Sequence, residues 1–422
     1  MRGRLLVTVS VIALVSVACT GSSAPSSDPE RTTIPSETLL LGTGAGPLLV
    51  SVPEGSVLFE GSGSVASLGG AWVLSASDAS GSTILQSRDG ATGGIVGTTL
   101  VPGELGVRVV SESGRAVALM EPLPPGWDPL VPIPRSRTTI VVADPAGEGE
   151  PKTFDLRGNF EPEAFSSDDN QLFLIQHLPA ETPTAYRVTV LDLDRGRVLP
   201  VFGPFKGAAE RMPGIRLQQV LSPSGGQLYT LYSSASPGYV PHGAPGPADA
   251  IVSFVHVLSL RDGWAHCVGL PEEMWDRPSS EQAMAPSPDG RYLFIVDAGL
   301  GTIAVMHIGS LRVRTGEVDL DLSGRIERTT AQMSADGRTM FVANAGRDGS
   351  TISAIHMGTF EVGDRWRLDG MVTSLGMSMD GARLYAAIGD QLVVLDASTG
   401  REVATVPIAA PDTVTRVLAL AA

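Results

Sequence analysis

Lysine is almost missing from this chain. Lys152 and Lys206 are the two lysines in 422 residues, and arginine supplies the rest of the 30 basic side chains. That bias reflects G+C-rich coding more than any physical demand. Positive charge is also outnumbered, since 45 acidic residues leave a formal net charge of −15. An acidic surface repels nucleic acid and anionic lipid headgroups, which argues against both as partners, and mostly it serves solubility. Cysteine occurs twice, at Cys19 and Cys267, too few for a disulfide framework. Helical periodicity is scarce, while 49 Gly and 31 Pro punctuate short apolar runs; the pattern favours an all-β fold. No Gly-rich phosphate loop precedes a helix, no Gly-x-Ser-x-Gly elbow occurs, and metal-type His and Cys spacings are missing. No catalytic residue, cofactor or metal ligand set is therefore expected.

The apolar run at residues 5–17 has 13 residues, too short to span a bilayer. Arg2 and Arg4 precede it, and Ser16-Val17-Ala18-Cys19 closes it. Small residues just before a Cys resemble the lipobox of bacterial lipoproteins. The resemblance implies a signal peptide over 1–18, a lipid thioether on Cys19, and a chain anchored on the extracytoplasmic face of the cell membrane. The bland alternative is an ordinary secretory signal in which Cys19 is incidental. Residues 19–37 then form the lipidated Cys and a tether rich in Ser, Thr and Pro, which cannot bury a core. The 17 residues from Thr20 to Ser36 reach roughly 50 Å when extended. With Cys19 lipidated, Cys267 stands alone, beside His266 and Trp264 in a predicted strand, and reads as a buried structural thiol.

Residues 371–408 show the unit from which the rest is built. Four short apolar runs alternate with Asp-Gly, Gly-Asp and Thr-Gly, the signature of strands joined by hairpins. The first turn of each unit is the clearest marker. Ser287-Pro288-Asp289-Gly290, Ser334-Ala335-Asp336-Gly337 and Ser378-Met379-Asp380-Gly381 suit a type I turn, and weaker copies begin at Ser222, Ser166, Ser111 and Ser67. Their spacings of 44, 55, 56, 65, 47 and 44 fit four-stranded propeller blades with loop insertions.

Phe341-Val342-Ala343-Asn344 and Val394-Leu395-Asp396-Ala397-Ser398-Thr399-Gly400 resemble the bacterial β-propeller repeat named after its Tyr-Val-Thr-Asn signature. The likeness is best over 281–408 and fades over 65–270. It implies a β-propeller and carries no particular activity. Seven units span 65–101, 105–156, 162–201, 215–270, 281–320, 329–368 and 371–407. Residues 413–420 read as one more first strand, and 38–43, 47–52 and 56–60 as second, third and fourth strands. The two ends then complete an eighth blade, which removes the free sheet edges of an open ring. Eight blades are favoured, with seven as the alternative, in a single domain over 38–422. First strands should line the channel with small residues such as Ala283, Ala285, Ala331, Ser374 and Gly376. Second strands, covered on both faces, should be continuously apolar.

Long insertions fall on one side of the disc: 122–137, 178–185 and 237–249 between second and third strands, and 206–213 and 271–280 between blades. Long loops on a rigid scaffold usually carry function, and Trp127, Tyr239, His242 and Trp275 are the candidate binding side chains there. His256, His307 and His356 share one position in three third strands, where Asp192 and Asp396 sit in others. Packed sheets lie about 10 Å apart and zinc–nitrogen bonds are near 2 Å, so a structural role is expected rather than a metal site. The methionines between Met284 and Met379 read as core filling. Asp192/Asp194 and Asp319/Asp321 lack a calcium-loop pattern and read as solvated turns.

The leading expectation is a monomeric, lipid-anchored binding or scaffolding module for an unidentified protein or small ligand, without nucleic acid. The alternative is a propeller enzyme resembling lactonases or quinoprotein dehydrogenase subunits, with a metal at the channel mouth and acids from Glu163, Asp249, Glu272 or Asp276.

Overall fold

A computed structural model describes residues 35–124, 131–203, 211–212, 214–233, 253–275, 277–320, 325–408 and 413–420. Within them are eight four-stranded antiparallel sheets and, as helix, two 3-10 turns, Glu272–Met274 and Ser279–Glu281. None of the described helices is long and apolar enough to cross a membrane.

Blades 1 to 7 follow chain order. Their first strands are Val65–Ala66, Gly106–Val110, Asn159–Phe165, Ile215–Leu221, Gln282–Pro286, Arg328–Met333 and Val372–Met377. Blade 8 joins the two ends: Val414–Leu420 is its first strand, followed by Glu37–Thr43, Pro47–Val52 and Ser56–Glu60. Leu40 pairs with Leu418 and Thr38 with Leu420. The ring is closed as the repeat count predicts.

The hydrophobic cores lie between blades rather than within them. A sheet with both faces apolar has nowhere else to bury them. Leu39, Leu48 and Val50 of blade 8 pack with Tyr385, Leu392 and Val394 of blade 7. On its other face Leu40 and Leu49 meet Val73 of blade 1. Six further clusters bridge the remaining neighbouring pairs. The second strand Tyr292–Asp297 is buried at five of its six positions, the continuous burial that its unbroken apolar run requires. First strands crowd at the axis. A Cβ on Gly376 would lie 2.5 Å from Val417 Cγ1, so no larger residue fits there.

The repeated turn explains its own sequence. Ser287 Oγ donates to Asp289 Oδ1 at 2.6 Å and accepts from the Tyr292 amide at 2.9 Å. Ser334, Ser378 and Ser166 repeat the pattern with Asp336, Asp380 and Asp168. The serine hydroxyl, aided by backbone amides, holds these carboxylates below their ordinary range. At the fourth position Gly290 has φ 68°, where a side chain would be strained.

Three sequence expectations are corrected. Cys267 is exposed, not buried. It lies on the outermost strand of blade 4, Ala265–Gly269, where exposed Cys267 alternates with buried Val268. His256 is not equivalent to His307 and His356. His307 pairs with Tyr292, and His356 with Thr339, at the start of their second strands; in blade 4 that place belongs to Ser259, opposite Gln227. His256 is instead buried in mid-strand. Asp192 is a buried turn cap rather than a solvated one, accepting from the amides of Asp194 and Arg195 at 3.1 and 2.9 Å. His307 does the same task, accepting from the Ser310 amide at 3.2 Å, which is the structural role expected of it. Most of the methionines fill core, as Met284, Met306 and Met340 do, but Met371 and Met379 are exposed.

Candidate functional site in the central channel

Each first strand starts on the long-loop side and runs towards the short turns, so its opening residues line the channel mouth on the long-loop side. In three successive blades large polar or charged residues of the first strands converge here. Arg108 stands on blade 2, Glu161 and Glu163 on blade 3, and Arg216 and Gln219 on blade 4. They line a cavity of about 380 Å³, with His177 from the end of the second strand of blade 3 and Arg135 from the loop of blade 2. Val107, Val131 and Ile133 are among its apolar walls.

Two of the long loops are latched over this cavity. The Asn159 amide donates to the Ile133 and Ala180 carbonyls at 2.8 and 2.9 Å, and the Arg135 amide bonds the Ala180 carbonyl at 3.2 Å. Asn159 is 1% exposed, so the latch is dry. One side chain thus ties the second-to-third loop of blade 2 to that of blade 3.

The charges are shared across blades. Glu161 receives Arg108 at 3.2 Å and Arg135 at 3.5 Å. Glu163 accepts from Gln219 at 2.6 Å and faces Arg216 at 3.5 Å. Burial raises the Glu161 carboxyl above its ordinary range, while Arg108 and Arg135 oppose the rise. Burial also lowers the Arg108 guanidinium. His177 is pushed down to about 4 by burial, with Arg135 adding to the effect, and is neutral at pH 7. The arrangement offers fixed guanidinium donors and carboxylate acceptors at the mouth of an apolar-walled pocket. That is the composition of a site that orients a small polar group. Both glutamates are already committed to arginines. Among the described residues no group of three or more His, Cys, Asp or Glu is placed to hold a metal.

A second cavity of about 860 Å³ lies between blades 5 and 6 at their short turns. Asp289 and Asp336 line it, but both are spent on capping their own turns. It reads as the wedge left where two blades diverge.

Of the binding residues expected from sequence, Trp127, Tyr239 and His242 lie outside the described residues, as do Cys19, Asp249 and Asp276. Trp275 closes the link after Glu272–Met274, half-buried, its indole donating to the Leu270 carbonyl at 2.8 Å. Neither Trp275 nor Glu272 lines the channel pocket; Glu163 does. Sequence reasoning missed Arg108, Arg135, Glu161, Arg216, Gln219 and His177. Glu161-Pro162-Glu163 was the available signal, since no first strand of another blade carries a carboxylate.

No protein-family model matches the chain, and no curated protein matches it. Solved structures do. Two structures of AztD from Citrobacter koseri are similar to it: the apo form at 12% identity, covering 91% of this chain and 98% of that one with a TM-score of 0.52, and a second at 11% identity, 91% and 97% coverage and a TM-score of 0.50. A periplasmic gluconolactonase of Pseudomonas aeruginosa, PpgL, is 18% identical over 92% of this chain and 99% of that one, at a TM-score of 0.44. At such identities the likeness to AztD is one of fold, a β-propeller, and of nothing finer.

Proposed function

We propose that this chain is a lipid-anchored extracytoplasmic binding module, a monomeric propeller of the Tyr-Val-Thr-Asn type. Its long-loop side receives a ligand, and the channel pocket seats that ligand's polar group. One observation carries the binding part: charged side chains from three blades converge beneath two loops latched by Asn159. Trp127, Tyr239, His242 and Trp275 would extend the contact outward. The anchor rests on Ser16-Val17-Ala18-Cys19.

The test is capture from detergent-solubilised membranes by the acylated protein. Arg135→Ala and Trp275→Ala should each lose a component that the parent retains; an unchanged set would sink the reading. A metal-dependent propeller enzyme has less support, because Glu163 is held by Arg216 and Gln219. A stoichiometric divalent ion in the purified protein would favour it.

A further inference from the structure

The outermost strand of a blade meets water, and several here are polar. The outer strand of blade 5 reads RVRTGE, and that of blade 6 reads VGDRWRL. Two neighbouring outer strands differ: SVLFE on blade 8 and IVGTTLVP on blade 1. On them Val57 and Leu58 are each 41% exposed, Ile95 52%, Val96 57% and Leu100 59%. The strands are close neighbours. A Cβ on Gly93, in the turn before Ile95, would come within 3.4 Å of Leu58 Cβ. Grouped apolar exposure on an edge marks an interaction surface.

The patch lies beside the point where the described chain begins. Glu37 starts the second strand of blade 8 at the short-turn side. It pairs with Val52, and the adjacent Ser51 pairs with Ser56 of the outer strand. Two strand spacings separate Glu37 from that outer strand, roughly 10 Å. Val57, Leu58, Ile95 and Val96 open their strands at this same side. Met379, 58% exposed, sits there too, its amide donating to Glu37 Oε2 at 3.2 Å.

We propose that this rim, Val57, Leu58, Ile95 and Val96, rests on the lipid bilayer. The inference builds on the reading that Cys19 carries the anchor. Thr20–Ser36 then leaves a lipid and arrives beside the patch, and a tether of that length keeps its two ends at an effective concentration in the millimolar range. A weak apolar contact is populated under that condition. Glu54 and Glu60 flank the patch, which favours neutral over anionic headgroups. The short-turn side is thereby held towards the membrane, and the channel pocket faces away from it.

The acylated protein in phosphatidylcholine vesicles provides the test, with Cys267→Ser leaving no other free thiol. Vesicle flotation is measured first; a protein that does not float refutes the anchor and this inference with it. In floating protein, an environment-sensitive fluorophore on Val96→Cys, and separately on Leu58→Cys, should shift to the blue and be quenched by brominated lipid. The same label on Glu273→Cys, on the long-loop side, should report water. Equal signals at all three positions would overturn the contact while sparing the anchor. So would a blue shift that follows protein density on the vesicle rather than bromination, which would mark a second copy as the occupant.

Discussion

Arg383 and Glu37, 346 positions apart in the chain, meet at 3.2 Å with 9% of each side chain exposed. Tyr385 donates its hydroxyl to the same carboxylate. Glu37 belongs to blade 8 and Arg383 to blade 7, so the pair fastens the closing blade to its neighbour. Glu37→Ala would leave a buried guanidinium with half-exposed Asp380 at 3.2 Å and the Pro35 carbonyl at 3.5 Å as its remaining partners. The cost should be about 3 kcal/mol, read from urea unfolding. A change under 1 kcal/mol would show that water or Asp380 replaces the lost acid.

Gly376 and Val417 test how tightly first strands crowd at the axis. Gly376→Ala places its methyl against Val417 Cγ1 and should destabilise by about 1–3 kcal/mol through overpacking. Val417→Ala in the same chain should recover part of that loss, a non-additivity that a double-mutant cycle measures. Strict additivity would mean that the two positions do not touch.

Acid should weaken the fold through His256. Burial, helped by His266, holds its imidazole down to about 4 from an ordinary 6.5. Between those values the unfolded chain binds a proton that the folded chain refuses. Stability from this group is therefore complete above pH 6.5, is lost as pH falls, and is gone below about 4. At about 1.4 kcal/mol per pH step the loss is roughly 3 kcal/mol. His177 titrates in the same window with the same sign. His256→Leu should flatten the stability profile between pH 6.5 and 4, and an unchanged slope would assign the acid loss elsewhere.

Asn159 makes both of its donor bonds to loop carbonyls. Asn159→Ala should cost about 1–3 kcal/mol, because the Ile133 carbonyl loses its side-chain donor and the Ala180 carbonyl keeps the Arg135 amide alone. It should also speed amide hydrogen exchange at Arg135, whose amide is bonded to Ala180, more than at Leu40 in blade 8. Uniform acceleration would indicate global loosening instead of a local latch.

The ring was legible in advance because its signals are local. A Ser-x-Asp-Gly turn needs only six consecutive residues to make its bonds, and an unbroken apolar strand announces burial on both faces. Closure was legible too, since residues 38–60 complete the strands that 413–420 begins. The channel pocket was not, because it depends on which side chains of separate blades converge. Glu161 meets Arg108 only after two first strands, 53 positions apart, are set side by side. His256 was misplaced for a related reason. The 65-residue spacing of blade 4 removed the ruler that aligned the other third strands, and only pairing with Gln227 identifies Ser259 as the equivalent. Cys267 illustrates the outermost strand, where alternate positions meet solvent whatever their residue type.

Blade 8 imposes an order on biosynthesis. Gly42 and Thr415 are bonded although 373 positions apart, so the strand after Pro35 emerges from the ribosome long before its partner exists. Until residues 414–420 are made, the nascent molecule is an unclosed fan with raw β-edges at both extremities, open to pairing with whatever strand lies nearby. Export in an unfolded condition would defer that hazard until the whole polypeptide had crossed, and truncation of the last strand would expose it permanently.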